Sequence, residues 1–288
     1  MLAALKRPAT VRRALRMKSR RPLRALQTPF RYLYNKTTLP LRSFQPKYPI
    51  FCSSENFILK TADTPFELRQ VLKLRHDIFY KELQNKEAAD QLDIDEFDFI
   101  CDHLIIIDKK NSKVVGTYRV ISSIFSDRFY SAGEFEMGEL LKAPGNKLEL
   151  GRACIHKDYR NGAIITLLWR GIVEYIKATD SKFLFGCASV QTVDPAVAGS
   201  ILGHLQSQGL SSNEYNVKPT LKYRSTLEIS TPEVEPEIPA LIQSYIKAGA
   251  KFYGEPALDR DFDCYDFFMV LKIDEMSRLF RRRFGLDK

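Results

Sequence analysis

The spacing of hydrophobic and polar positions changes character near residue 50. Before it, single apolar residues such as Leu5, Val11, Leu15 and Leu26 stand among Arg and Lys, and prolines at 8, 22 and 29 divide the segment into short helical pieces at most. After it, compact apolar runs alternate with helical periodicity. Phe57 to Ala62 predicts a first strand. Thr64-Pro65-Phe66-Glu67 reads as a capping box with Pro at the first helical position, and apolar residues at 68, 71, 72, 74, 78 and 79 continue the helix. An acidic loop, Asp90 to Asp98, precedes two strands, His103–Ile107 and Val114–Ser122, joined by a polar turn. Phe135 to Leu141 predicts a short helix and Leu148 to Ile155 a strand. Asn161 to Ala178 predicts a helix, Lys182 to Val190 a buried strand, and Asp194-Pro195 a helix start running to about Gln208. Residues 215–228 read as extended, Glu237 to Gly249 as helix and Phe267 to Ile273 as a last strand. A basic helix, Glu275 to Phe284, closes at Gly285. This order predicts a single mixed α/β domain over residues 51–288, antiparallel at its start and parallel at its centre.

Charge sharpens the division at residue 50. The chain of 288 residues carries +9, yet residues 1–50 alone hold thirteen Lys or Arg and no acid, so the remainder carries −4. A mildly acidic domain therefore follows a basic arm. The arm fits a solvated flexible chain, an anionic membrane surface, or an Arg-rich organellar transit peptide. A nucleic-acid role is not expected, because no recognition fold follows. No apolar run reaches the length of a membrane-spanning helix, and no secretory signal is expected. Five cysteines without CxxC spacing argue against a disulfide framework or zinc site and suit a reducing cytoplasm. Four scattered histidines suggest no metal centre.

Three clusters can carry chemistry. Arg75 and Phe79 share a helix face, and Asp93, Asp95 and Asp98 crowd three carboxylates into six residues. Such a cluster is a solvated loop, a site for a cationic substrate group, or a set of ion pairs ordering a lid. In Leu148-Glu149-Leu150-Gly151-Arg152, Glu149 and Arg152 point to opposite faces of a regular strand, and a bulge at Gly151 would bring them to one face. Glu149 is then a salt-bridge partner at the sheet edge or a general base with a raised pKa. Arg160 and Gly162, in Tyr159-Arg160-Asn161-Gly162-Ala163, sit where a helix N-terminus can hold a phosphate, or in an ordinary turn. Cys154 and Cys187 read as small buried residues of strands.

Taken in order, Arg75-His76-Asp77-Ile78-Phe79, the Asp93/Asp95/Asp98 triplet, Cys101-Asp102-His103-Leu104, Val115-Gly116-Thr117-Tyr118-Arg119, Phe129-Tyr130, Glu134-Phe135 and Leu148 to Arg152 resemble the GNAT-fold N-acyltransferases that draw on acyl carrier protein. The match is strongest to the ornithine lipid synthase type and continues through Leu168–Ile172, Leu184–Ser189, Ile238–Leu241 and Gly254–Ala257. Acyl-homoserine lactone synthases look like more distant relatives. The resemblance implies a GNAT-like mixed sheet flanked by helices, with a family-specific C-terminal extension. It implies transfer of a fatty acyl group, with or without a 3-hydroxyl, from acyl carrier protein to the α-amine of ornithine or a similar amino acid. Glu149 would be the base. Arg75, Asp93, Asp95, Asp98, Arg119 and Arg152 would bind substrate, the acids taking ammonium groups and Arg119 or Arg152 the carboxylate. Alternatively the triplet pairs with Arg75 and Arg119 to order the loop. Arg160 and Gly162 would face the donor. The Tyr159–Ile164 loop departs from the phosphate-cradling spacing of acetyl-CoA enzymes, which suits a carrier-borne acyl-phosphopantetheine and no bound cofactor or metal. A lipid product would give the basic arm a target on the membrane surface. The rivals are an autoinducer-type synthase and a non-catalytic module binding carrier protein or membrane.

Overall fold

Thr64 accepts the Glu67 N–H and Pro65 stands where no intrahelical donor is needed, so the first helix, α1 (Pro65–His76), begins as the sequence predicts. Glu67 does not close the box on Thr64. Its carboxylate takes the Asp63 N–H and the Lys60 ammonium instead. The chain then widens into a π-helical turn, Asp77–Glu82, a feature frequent at functional sites. The computed structural model describes residues 44–86, 91–231 and 235–286, so most of the basic arm and Asp90 lie outside the described residues.

The strands are β1 (Phe51–Ser53), β2 (Phe57–Thr61), β3 (Asp102–Asp108), β4 (Lys113–Ser122), β5 (Phe135–Glu136), β6 (Asn146–Ile155), β7 (Ser181–Val190), β8 (Ser211–Ser212), β9 (Lys218–Pro219), β10 (Lys251–Tyr253), β11 (Ala257–Asp259) and β12 (Cys264–Lys272). The remaining helices are α2 (Gly138–Lys142), α3 (Ala163–Thr179), α4 (Pro195–Ser207), α5 (Ala240–Ala248) and α6 (Arg278–Phe284). The main sheet runs β1-β2-β3-β4-β6-β7-β12-β10-β8, with β11 beside β12. β6–β7 and β10–β8 are parallel and the other pairs of this sheet antiparallel. β5 and β9 form a separate antiparallel pair. The helix expected over 135–141 is thus a short strand followed by α2, and residues 215–228 pair only at Lys218–Pro219.

Alternation along β3 shows how the layers form. Leu104 and Ile106 point to the core beneath α3, α4 and α5, while Ile105 points to the core beneath α1. On β7, Leu184 joins the first core, and Phe183 and Phe185 face a third cluster with Phe129, Phe135 and Phe268. Rungs between β6 and β7 end at Glu149 opposite Phe185. Beyond that rung, Gly186 sits so close to the Leu150 carbonyl that a β-carbon would lie 2.1 Å from its oxygen. Past this contact the two strands share no further rungs, and β7 continues on β12 while β6 continues on β4. The divergence opens the sheet at its centre.

The expected arm boundary at residue 50 moves toward the N-terminus. Phe44 and Ile50 are buried, and the buried Asp102 carboxylate accepts the N–H groups of Lys47 and Tyr48 and the Tyr175 hydroxyl. One charged acceptor thus anchors the last residues before β1 to α3, contacts invisible to local composition. Asp102→Ala is expected to lower the unfolding free energy by about 1–3 kcal/mol. Denaturant titration measures the loss, and hydrogen exchange should speed first at Lys47 and Tyr48.

Candidate active site

Beside the opening in the sheet, α1, the 91–99 segment, β4 and β6 meet in an ion network. Arg75 Nε binds Asp93 at 2.6 Å, and its terminal nitrogens hold both oxygens of Asp98 at 2.6 and 3.2 Å. Arg119 Nη1 contacts Asp95 at 2.7 Å and Asp98 at 3.3 Å. Arg152 reaches Asp93 at 3.3 Å and Asp95 at 3.2 Å. Asp95 and Asp98 also cap the turn Glu96–Phe99 reciprocally. Three carboxylates and three guanidiniums therefore neutralise one another in the interior. Burial opposes the charge on Asp93 and Asp95, but Arg75 and Arg152 on the first and Arg119 and Arg152 on the second hold both below the usual carboxylate range. His103 abuts the Asp98 carbonyl, and burial lowers its pKa to about 4, leaving it neutral.

The strand distortion expected at Gly151 falls one residue later. Arg119 pairs with Gly151 and Thr117 with Cys154, so Arg152 and Ala153 together oppose Tyr118. Arg152 takes a left-handed φ of +48°, which turns its guanidinium onto the faces of Tyr130 and Phe262 at 4.7 and 5.1 Å. Glu149, 2% exposed, receives the N–H of Tyr130 at 2.8 Å and that of Ser131 at 2.7 Å, one on each oxygen. Burial pushes its pKa up, and the hydrogen bonds from Ser131 and Tyr130 restrain the rise. It is not a sheet-edge salt bridge.

A cavity of about 310 Å³ occupies this opening. Phe79, Leu83, Ile121, Leu150, Pro239 and Leu241 give it an apolar wall, and Arg119, Glu149, Arg152, Tyr130, Asp259 and Asp266 give it a polar one. Of the residues expected to bind substrate, Arg119 and Arg152 line it. Arg75, Asp93 and Asp98 lie in the interior, and their groups are spent on one another, which corrects their assignment as direct ligands. Asp95 is held by Arg119 and Arg152. The second alternative, ion pairs that order the segment, describes the triplet. Arg160 pairs with Glu82 and donates to the Ile155 carbonyl, and Gly162 takes a left-handed φ of +85° at the start of α3. Neither lines the cavity.

Several polar residues lining the cavity or just behind its wall had no local signal. Tyr130 and Glu134 stood in the sequence as motif pieces without a role, and Asp259 and Asp266 not at all. The β11–β12 hairpin brings the latter two together, since Asp259 pairs with Cys264 and Ala257 with Asp266. Burial pushes Asp266 up to about 6, with Asp259 adding repulsion against the Ser189 hydrogen bond. Cys187 lines the cavity too, and burial with Glu134 and Asp266 nearby keeps its thiol protonated, unlike an activated nucleophile.

Comparison with known proteins agrees with this geometry. The family model for the acetyltransferase (GNAT) domain matches residues 74–170, which run from the end of α1 into α3. The chain is a GNAT-type acyltransferase. The L-ornithine N(alpha)-acyltransferase of Rhizobium meliloti (strain 1021) is 30% identical over 252 residues, spanning 81% of this chain and 85% of that protein. The enzyme of the same name from Rhodobacter capsulatus is 30% identical over 251 residues, covering 78% of this chain and 93% of its own. The chain belongs to the L-ornithine N(alpha)-acyltransferase family. Among solved structures, the acyl-homoserine lactone synthase LasI matches with a TM-score of 0.47 and 12% identity, over 76% of this chain and 91% of its own.

Two outcomes follow from the buried charges. Arg75→Met leaves Asp93 and Asp98 without their main partner and should cost about 3–5 kcal/mol at pH 7 by denaturant titration. The lowered folded-state pKa of Asp93 means its contribution exists above the unfolded value near 3.9 and fades as pH falls below it, so the deficit should shrink in acid. Asp266 has the opposite sign. Its folded pKa near 6 exceeds the unfolded value, so ionisation weighs against the fold as pH rises. Asp266→Asn should melt above wild type at pH 8, and the two should converge near pH 4.

Proposed function

We propose that the protein transfers a fatty acyl group, plain or 3-hydroxylated, from acyl carrier protein to the α-amine of ornithine or a closely similar amino acid. The observation that carries this reading is the joining, in one cavity, of an apolar wall, a buried carboxylate and a guanidinium with an unused donor. Arg119 Nη2 is buried without a hydrogen-bond partner, while Nη1 is anchored on Asp95 and Asp98. A donor so fixed suits the α-carboxylate of an amino acid. The network around it supplies no catalysis; it holds Arg119 and Arg152 at the cavity wall.

The α-ammonium must lose a proton before its lone pair can attack the thioester carbon. Glu149 is the base. Its oxygens accept one backbone N–H each and the Ser131 side chain bonds the same carboxylate, so of four lone-pair directions one remains for the substrate proton or a relaying water. Burial raises its proton affinity toward the range where a base works well. Attack forms the C–N bond and a tetrahedral oxyanion, which backbone N–H groups along the diverging edge of β6 receive. Collapse re-forms the carbonyl and expels the pantetheine thiolate; the attacking nitrogen gives up its second proton to the thiolate, and Glu149 releases the first to solvent. The product is an N-acyl amino acid and free carrier thiol. The reaction as written draws on no metal.

Arg170, Lys177, Arg282 and Arg283 line a groove between α3 and α6 together with Glu174, and this basic surface suits an acidic carrier protein. Among the described residues no helix is long and apolar enough to cross a membrane. Contact of the amphipathic product with a bilayer is assigned to the basic arm, as a peripheral association.

Expression in a host without aminolipids, followed by lipid mass spectrometry, tests the reading: an acylated ornithine supports it, and an acyl-homoserine lactone would replace it with an autoinducer-type synthase. With purified acyl carrier protein thioesters, Glu149→Gln should lower kcat about 10²- to 10⁴-fold with its melting temperature monitored in parallel. Near-full turnover by that variant removes Glu149 as the base.

A further inference from the structure

Three buried carboxylates, two lining this cavity and the third, Glu134, behind its wall against Cys187, have no part in the chemistry just described. Glu134 follows the turn Tyr130–Gly133, Asp259 ends β11, and Asp266 lies on β12. They are 2%, 3% and 4% exposed, and one oxygen from each lies within 4.8 Å of the others. Asp259 and Asp266 are diagonal neighbours across the hairpin and line the cavity. No Lys, Arg or His forms an ion pair with any of the three among the described residues. Arg152, on the same wall, is committed to Asp93 and Asp95.

The donors to the three acids are neutral groups, and Glu134 and Asp266 also bond each other. Asp259 Oδ1 accepts the N–H groups of Asp261 and Phe262, Asp266 accepts the Ser189 hydroxyl and the Cys264 thiol, and Glu134 Oε2 accepts the Cys187 thiol. Glu134 Oε1 is buried without a donor within good hydrogen-bond geometry, and burial beside Asp266 pushes the Glu134 pKa up. An orphaned oxygen in the company of two other carboxylates marks a place for a cationic donor.

We infer that Glu134, Asp259 and Asp266 bind the side-chain ammonium of the acceptor amino acid and thereby select a diamino acid over one with a neutral side chain. This rests on the amino-acid acyltransferase reading and deepens it. An ammonium group carries three donors in tetrahedral directions. Three acceptors at hydrogen-bond distance from such a nitrogen stand about 4.6 Å from one another, within the 4.8 Å that bounds the observed cluster. With Arg119 on the α-carboxylate, the cavity then reads both charged ends of the acceptor and leaves the α-amine for Glu149. A substrate lacking the side-chain amine would leave three acids facing one another with no cation among them. Polar sites of this kind reject the analogue strongly.

The test is calorimetric titration of the full chain, with and without holo acyl carrier protein, by ornithine, by norvaline (the same carbon chain without the terminal amine) and by Mg²⁺, Ca²⁺, Mn²⁺ and Zn²⁺ alone. Ornithine should bind at least about tenfold tighter than norvaline. Glu134→Gln and Asp266→Asn, each nearly isosteric, should bring the ratio close to one. Equal affinities in wild type, no binding of ornithine, or a divalent ion held by these residues that ornithine does not displace would each overturn the inference. The wild-type ligand series needs no variant to fold. Rates with acyl carrier protein thioesters separate the two levels. Equal acylation of ornithine and norvaline removes the ammonium site and leaves the acyltransfer reading. Selective binding of ornithine without acylation keeps the site and removes that reading.

Discussion

The structure turns on the ion network of Arg75, Arg119 and Arg152 with Asp93, Asp95 and Asp98. Its pairs join four separate parts of the chain: α1, the 91–99 segment, β4 and β6. Buried ions gain little net stability over a well-packed apolar core, because desolvation offsets most of their attraction. What they contribute is position. A guanidinium that must meet two carboxylates has few rotamers left, so Arg119 and Arg152 arrive at the cavity wall already oriented, and little ordering remains for a ligand to bring about.

The network also sets the electrostatics of the cavity. Three opposite pairs cancel, so the segment over the site is held without a net field of its own. What remains uncompensated at or beside the cavity is the donors Arg119 Nη2 and Arg152 Nε, which have no hydrogen-bond partner, and the acids Glu134, Asp259 and Asp266. A neutral, apolar molecule would satisfy neither. The opening of the sheet supplies space for them: β6 leaves β7 after Glu149, and the bulge at Arg152–Ala153 bends β6 further. Parallel pairing at the centre of an otherwise antiparallel region thus ends where the reacting groups are needed.

Much of the scaffold was legible along the chain. The cap at Thr64, the alternation of Leu104, Ile105 and Ile106, and the Gly285 stop of the last helix are local signals with local causes. Glu149 and the Arg-Asp set stood out as charges in apolar settings, which is costly and therefore informative. Their division of labour was not legible. Arg119 is paired on one nitrogen and free on another, while Arg75 is paired on every donor it brings to the acids, and spacing cannot tell these apart. The π-helical turn after His76 and the shift of the bulge from Gly151 to Arg152 were hidden as well, because both arise from packing between distant strands and helices.

By itself the sequence determined the element order, the mixed α/β class, the division between a basic arm and an acidic domain, and which charged residues had to be explained. Each depends on neighbours within a few positions, or on composition, and both are fully present in one dimension. Tertiary structure alone decided which charges neutralise one another and which remain for a ligand. Glu134, Asp259 and Asp266 are separated by well over a hundred residues at the extreme, yet their oxygens share one small volume. Coulomb energy depends on distance in space and on burial, and neither can be read from separation along the chain.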